Sequence, residues 1–86
     1  MIILDGRTMT SRNDAHDALA RALCFPEYYG KNLDALWDLA TTLRAELTIT
    51  HASAMQAALG TYGTKLLNTL REAAMENPEF SVTIED

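Results

Sequence analysis

The sequence lacks the features that mark exported, membrane-embedded or disulfide-stabilised proteins. It has one cysteine, Cys24, and a single cysteine excludes both an intramolecular disulfide and a cysteine-based metal cluster. No uninterrupted apolar run is longer than four residues, which is far too short to span a membrane. No basic segment precedes a long apolar one, so we expect no secretory signal. These absences predict a cytoplasmic protein with no membrane partner.

Residues that carry chemistry are also scarce. The four glycines form no loop of the kind that cradles phosphate groups. The two histidines, His16 and His51, have no cysteine or carboxylate at a spacing typical of a metal site or a catalytic triad. His16 lies off the apolar face of its predicted helix and is predicted to be a surface residue, whereas Cys24 is predicted to be a small buried apolar side chain. The sequence therefore predicts no catalytic residue, no metal and no cofactor.

What is present is the composition of a small acidic globular domain. The chain has 86 residues, of which 48% are hydrophobic and 22% charged, so we expect a single domain over residues 1–86 without extended disorder. Twelve acidic residues against seven basic ones give a net charge of −5, which argues against a nucleic-acid partner. The whole excess lies in residues 72–86, which contain five acidic residues and no basic one. Such a segment can attract a basic protein at long range, although composition alone favours a role in solubility.

Hydrophobic periodicity predicts three strands and four helices. Ser11, with Asp14 three residues later, and Asn32 are typical helix N-caps, and the pair Asn77-Pro78 is a typical helix end. The predicted elements are a strand Met1–Leu4, a helix between Ser11 and Phe25, a helix Asn32–Thr42, a strand Leu47–Thr50, a helix capped by Ser53 that ends at Leu59, a helix Thr61–Glu76 and a strand Phe80–Ile84. Each pair of helices is long enough to return the chain in the same direction, so we predict an α/β fold with a small parallel sheet packed with helices.

The second predicted helix carries an unusual pair of charges. Asp34 and Asp38 are four residues apart, which places their carboxylates on one helical face about 6 Å apart. Tyr28, Tyr29 and Trp37 are close by in the sequence, and Tyr and Trp beside unpaired charge are typical of a binding surface. Trp37 also shares the apolar stripe of this helix, so part of its side chain is expected in the core. From the residues alone, an acidic interaction surface and a solvated helix face are both open.

A longer segment around these residues matches a known pattern. Residues 26–38 read Pro-Glu-Tyr-Tyr-Gly-Lys-Asn-Leu-Asp-Ala-Leu-Trp-Asp. This segment resembles the signature of the barstar family of ribonuclease inhibitors, and it fills every specified position of that signature. Weaker similarity extends over nearly the whole chain. The resemblance implies a three-stranded parallel sheet packed with four helices in the order β-α-α-β-α-α-β, which agrees with the elements predicted above.

The resemblance implies a protein that inhibits a basic ribonuclease of the barnase-like type in a 1:1 complex and that is a monomer when free. The second helix and the loop before it would enter the active site of the nuclease, where Asp38 would take the place of the substrate phosphate. Asp34 would contact a second basic group, and Tyr28 would pack on a catalytic histidine of the nuclease. The implied partner-binding residues are Tyr28, Tyr29, Gly30, Asn32, Leu33, Asp34, Trp37, Asp38, Thr41, Glu72 and Glu76.

The remaining implied roles are peripheral. Asn32 and Leu33 would contact the rim of the nuclease active site, and Trp37 would support the helix and help to exclude water. Glu72 would pair with an arginine of the nuclease, and Glu76 would contribute mainly to the electric field.

Two other classes of function compete with inhibition. A non-inhibitory acidic adaptor on the same fold would bind another basic protein, but the presence of both aspartates and of the aromatic frame favours an inhibitor. A metal-dependent enzyme using Asp34, Asp38 and His51 has no supporting spacing, and two carboxylates without a third protein ligand make a weak site. It is the weakest of the three hypotheses.

Overall fold

The computed structural model describes all 86 residues, and its elements follow the predicted order. They are β1 (Ile2–Asp5), a short 3-10 helix (Gly6–Thr8), α1 (Arg12–Ala22), α2 (Leu33–Ala40), β2 (Ala45–Thr50), α3 (Ala52–Leu59), α4 (Thr61–Glu76) and β3 (Phe80–Ile84). The predicted bounds of α4 and β3 are confirmed at both ends. The first two helices are shorter than predicted, because each ends in a capping turn of two or three residues.

The three strands form one parallel sheet in the order β1-β2-β3, so β2 is central. Leu4 of β1 lies opposite Ile49 of β2, and Ile49 lies opposite Ile84 of β3. Parallel neighbours need long crossover connections, which α1 with α2 and α3 with α4 provide. The predicted α/β fold is confirmed.

The helices pack on one face of the sheet, and the other face is open to solvent. In β2, Leu47 and Ile49 are completely buried, whereas Glu46, which points to the opposite face, is exposed. Ile3 of β1 is 62% exposed for the same reason. The prediction that the first strand is buried is therefore wrong for Ile3, since an apolar run does not reveal that only one face of its sheet is covered.

Side-chain caps fix the starts of the two helices that precede β2. The Ser11 hydroxyl accepts a hydrogen bond from the Asp14 amide at 3.1 Å, and the Asn32 Oδ1 accepts one from the Ala35 amide at 2.7 Å. Both caps were predicted from the sequence and are confirmed. A cap of this kind stabilises its helix by about 1 kcal/mol, so the first turn of α2, which includes Asp34, is held rigidly.

The end of α1 corrects the prediction for Cys24. The Phe25 amide donates to the Ala20 carbonyl at 2.9 Å, and Cys24 has a φ of 57°. This is a Schellman turn with cysteine at the left-handed position where glycine is usual. The turn directs the Cys24 side chain into solvent, so the residue is exposed rather than buried.

The start of α3 differs from the predicted Ser53 cap. The N-cap is His51, with a φ of 53° and no capping hydrogen bond from its side chain. The Ser53 amide donates instead to the Asp86 carboxylate at 3.2 Å. A carboxylate 33 residues away in sequence thus takes the role expected of a neighbouring hydroxyl.

A buried asparagine joins the C-terminal ends of α2 and α4. The Asn77 Nδ2 donates to the carbonyls of Ala40 at 3.1 Å and Leu43 at 2.7 Å, and its Oδ1 accepts from the Glu79 amide at 3.0 Å. These bonds satisfy carbonyls that the end of α2 leaves without helical partners. They therefore fix α2 against α4, which positions the candidate site.

The structure contains no helix with the length and hydropathy that a membrane-spanning segment requires.

Candidate functional site

Residues 27–31, called loop 27–31, lie between α1 and α2 and are held at several points. The Tyr29 amide donates to the Pro26 carbonyl at 3.0 Å, and the Lys31 ammonium lies 2.8 Å from the Asp17 carboxylate on α1. Lys31 has a left-handed φ of 51°, a conformation that costs a non-glycine residue of order 1 kcal/mol. The loop is therefore a fixed turn that leads into the Asn32 cap.

Tyr29 is the anchor of this loop. It is only 7% exposed, its ring centroid is 4.8 Å from that of Phe25, and its hydroxyl lies 2.6 Å from Nδ1 of His16. The Nε2 of His16 lies 2.6 Å from the hydroxyl of Tyr62 on α4. The prediction that His16 is a surface residue is therefore wrong, since it is 1% exposed. The buried face of α1 is shifted toward His16 because the loop and α4 also pack against it.

The other loop tyrosine points outward and meets α2 in a groove. Tyr28 is 82% exposed and has no hydrogen bond on its hydroxyl. A shallow groove of about 170 Å³ lies between the loop and α2, and it is lined by Tyr28, Tyr29, Gly30, Ala35, Asp38 and Leu39. The fold thus places Asp38 beside Tyr28, ten positions earlier in the chain.

The acidic face of α2 has no partner within the chain. Asp34 and Asp38 are both exposed, and neither carboxylate makes an ion pair or accepts a hydrogen bond. Trp37 is half-buried against the core, as its place on the apolar stripe predicted. The hydroxyl of Thr41, also half-buried, donates back to the Trp37 carbonyl at 2.9 Å and closes the helix.

The two glutamates expected to bind a partner lie on α4. Glu72 and Glu76 are exposed and make no ion pair, and α4 packs directly against α2. Apart from Tyr29, every side chain named as partner-binding is at least partly exposed: these are Tyr28, Asn32, Leu33, Asp34, Trp37, Asp38, Thr41, Glu72 and Glu76. Gly30 contributes its backbone to the groove.

Comparison with known proteins identifies the family. The family model described as "Barstar (barnase inhibitor)" matches residues 1–85. A protein of Bacillus subtilis (strain 168) named "Putative ribonuclease inhibitor YrdF" is 40% identical over 88 residues, which cover 98% of this chain and 97% of that protein.

The chain belongs to the barstar family.

The resemblance read from residues 26–38 is thereby confirmed. Barstar-family proteins are inhibitors rather than enzymes, so the general function of this chain is ribonuclease inhibition and its partner is a ribonuclease. The fold does not group Asp34, Asp38 and His51, the residues of the metal-site hypothesis. His51 lies at the carboxyl edge of the sheet, with its Nδ1 3.4 Å from Asp5, and no three His, Cys, Asp or Glu side chains are grouped so that they could hold a metal ion.

Sequence reasoning missed the two residues that support the loop of this barstar-family chain. His16 follows the core residue Ala15 and precedes Leu19 by three positions, which is a weak signal of burial. Tyr62 had no such signal, because its contact with His16 spans 46 residues of sequence. Local periodicity cannot find a contact of that kind.

Proposed function

We propose that this chain, acting as a single domain over residues 1–86, inhibits a basic ribonuclease of the barnase-like type in a 1:1 complex. Loop 27–31 and α2 enter the active site of the nuclease, and the Asp38 carboxylate occupies the place of the substrate phosphate. One observation carries the proposal. Asp38 has no partner in its own chain, lines a groove with Tyr28 and projects from a helix held at both ends.

The chemistry of a ribonuclease explains why a carboxylate on a rigid helix is effective. Such an enzyme holds a phosphate with converging arginine and histidine side chains, and a carboxylate forms similarly strong charge-assisted hydrogen bonds with them. It offers no bond that can be cleaved. Because Asp38 has no internal ion pair to break, its full charge is available to the nuclease. The Asn32 cap and the Asn77 contacts limit the entropy lost on binding.

The neighbours of Asp38 extend the contact on both sides. Asp34 is on the same helical face, and cations from the nuclease relieve the repulsion between the two carboxylates. Tyr28 is an exposed ring with a free hydroxyl, suited to packing on a histidine of the nuclease. Asn32 and Leu33, at the start of α2, contact the rim.

The α4 glutamates provide a second, more peripheral contact. Glu72 pairs with an arginine of the nuclease, whereas Glu76 acts mainly through its field. Both are exposed, so their contribution to affinity is screened by salt and smaller than that of Asp38.

The test is a titration of barnase activity with the purified chain and with two variants. The wild type should abolish activity at an equimolar ratio. Asp38→Ala should weaken binding by about 2–5 kcal/mol, a range to which the barnase–barstar complex itself contributes, because it leaves several buried cations unpaired. The matched control is Glu46→Ala, which removes an exposed, unpaired carboxylate from the open face of the sheet and should inhibit like the wild type.

Two outcomes would overturn the proposal. Equal potency of Asp38→Ala and wild type would exclude phosphate mimicry by Asp38. A wild-type chain that does not inhibit barnase at any ratio would exclude a nuclease of this type as its partner.

A further inference from the structure

A buried chain of three polar side chains connects the loop to α4. The hydroxyl of Tyr29 and the hydroxyl of Tyr62 each lie 2.6 Å from one nitrogen of His16. The imidazole therefore joins α1, loop 27–31 and α4 at a single point. His16 is not part of the inhibitory surface described above, because it is too buried to touch a partner.

The surroundings decide the direction of both hydrogen bonds. The Tyr29 hydroxyl is in the buried part of the chain and has no partner other than Nδ1 of His16. If this hydroxyl accepted a hydrogen bond from His16, its own hydrogen would be buried without an acceptor, which is costly. Tyr29 therefore donates to Nδ1. A neutral imidazole has one N–H, so Nε2 carries the proton and donates to the hydroxyl of Tyr62. Tyr62 is only partly buried, so its hydroxyl hydrogen need not find an acceptor inside the protein.

We propose that neutral His16, held between Tyr29 and Tyr62, is a positioning residue that locks loop 27–31 in its nuclease-binding conformation. Through Tyr29 it fixes the backbone that presents Tyr28 and Gly30 beside Asp38. We call the hydrogen-bonded set Tyr29–His16–Tyr62 the lock. The lock is a property of the free protein, whereas its effect on binding rests on the proposed role of loop 27–31.

Protonation of His16 opens the lock. With both nitrogens protonated, Nδ1 can no longer accept from Tyr29. The bond must then either break or reverse, and a reversed bond leaves the buried hydroxyl hydrogen of Tyr29 without an acceptor. The charged groups around the imidazole are Arg12, whose guanidinium carbon is 4.3 Å from the centre of the Tyr62 ring, and the ion pair of Asp17 with Lys31. Burial lowers the pKa of His16 below its ordinary value of 6.5, with Asp17 opposing this effect and Lys31 adding to it. The lock is therefore closed at neutral pH and opens only in more acidic solution, as the pH falls through the lowered pKa of His16.

The first experiment measures the lock without any nuclease. Amide hydrogen exchange of the free protein is followed by NMR at about pH 7 in wild type, Tyr62→Phe and Tyr28→Phe. Tyr62→Phe keeps the ring beneath Arg12 and removes one hydrogen bond, so exchange at the Tyr29 amide should rise roughly fivefold while the β2 amides keep their rates. Tyr28→Phe is the control, because it removes from the same loop a hydroxyl that makes no hydrogen bond. It should change neither the exchange rate at the Tyr29 amide nor the rates in β2.

Unchanged exchange at Tyr29, or an equal rise in β2, would overturn the proposal. The second result would mean that Tyr62 supports the whole fold and not the loop.

The second experiment asks whether the lock affects binding. A glutamine at position 16 can accept from Tyr29 and donate to Tyr62, but it does not titrate. His16→Gln and wild type should bind barnase equally at about pH 7.5. In a series of lower pH values His16→Gln should bind more tightly than wild type, by a factor that grows as the pH falls through the lowered pKa of His16. Any effect of pH on barnase itself, or on the rest of the interface, cancels in the ratio of the two dissociation constants.

A ratio that does not change with pH would overturn the role of His16 in binding. If neither protein inhibits barnase, the proposed function fails, and the exchange experiment still decides whether the lock exists.

Discussion

In β1 and α1 each aspartate carboxylate accepts a hydrogen bond from its own chain, whereas α2 carries two aspartates whose carboxylates accept none. Asp5 is paired with Arg7 at 2.7 Å, Asp14 accepts from Thr10 at 2.9 Å, and Asp17 is paired with Lys31 at 2.8 Å. Asp34 and Asp38 project into solvent without partners. Aspartate therefore makes stabilising contacts in β1 and α1, whereas on α2 its carboxylates are left free.

The difference has consequences for stability. The guanidinium of Arg7, with its backbone amide, lowers the pKa of Asp5 from 3.8 to about 2, so ionised Asp5 favours the folded chain. In α2 the two like charges at i and i+4 cost a few tenths of a kcal/mol. The surface proposed to bind cations of a nuclease is thus slightly unfavourable in the free protein, which is a common relation between stability and function.

The largest effect on stability is expected at Trp37, which lies on α2 beside Asp38 but packs partly against the core. Its inner edge packs against the core, so Trp37→Ala should lower the free energy of unfolding by about 3 kcal/mol, at the low end for tryptophan because the residue is half-exposed. Urea denaturation measures the change, and Trp37→Phe should recover part of it. An unchanged urea midpoint would mean that Trp37 belongs entirely to the binding surface.

A smaller effect is expected at Asp5 and only in acid. The pKa of Asp5 is about 2 in the folded protein against an ordinary value of 3.8. The contribution of Asp5 to the stability of the fold is therefore complete above pH 3.8, and it is lost as the pH falls from about 4 to about 2. Asp5→Asn should therefore flatten the loss of thermal stability over this interval, measured by circular dichroism. Asp34→Asn, which removes an unpaired carboxylate, serves as the control. Identical acid profiles for wild type and Asp5→Asn would contradict the contribution of the Arg7 pair.

Association with barnase provides a third comparison, between a free and a paired glutamate. Glu76 makes no ion pair, whereas Glu79 lies 3.2 Å from Arg44. Glu76→Gln should slow association roughly twofold at low salt, and Glu79→Gln should slow it less because Arg44 already offsets part of its field. Stopped-flow measurements over a salt series test this, and both effects should vanish at high salt. A rate for Glu76→Gln equal to that of wild type at low salt would remove its steering role.

The smallest effect should have the opposite sign. Asp38→Asn removes one of two like charges on α2 and should raise the free energy of unfolding by about 0.2–0.5 kcal/mol, while binding to barnase becomes much weaker. Equilibrium urea denaturation resolves the change if several independent curves are compared. A lower stability would mean that Asp38 has a structural role that its exposed, unpaired carboxylate does not suggest.

Local patterns in the sequence were enough for the elements and for most of the site. Ser11 and Asn32 cap the helices that they were predicted to cap, and α4 ends before Asn77-Pro78 as predicted. Asp34 and Asp38 share an exposed helical face because their spacing alone requires it. Each of these features depends on residues within four positions of each other, which is the range over which helix geometry acts.

The sequence by itself therefore determined the order of strands and helices, the caps and the acidic face of α2. Only the tertiary structure decided which faces are covered and how the loop is held. The burial of His16 depends on Tyr62, the cap of α3 on Asp86, and the position of α2 on Asn77. Each of these hydrogen bonds joins residues at least 33 positions apart. Such contacts exist only when the sheet brings its crossover helices together, so no local pattern of residues encodes them.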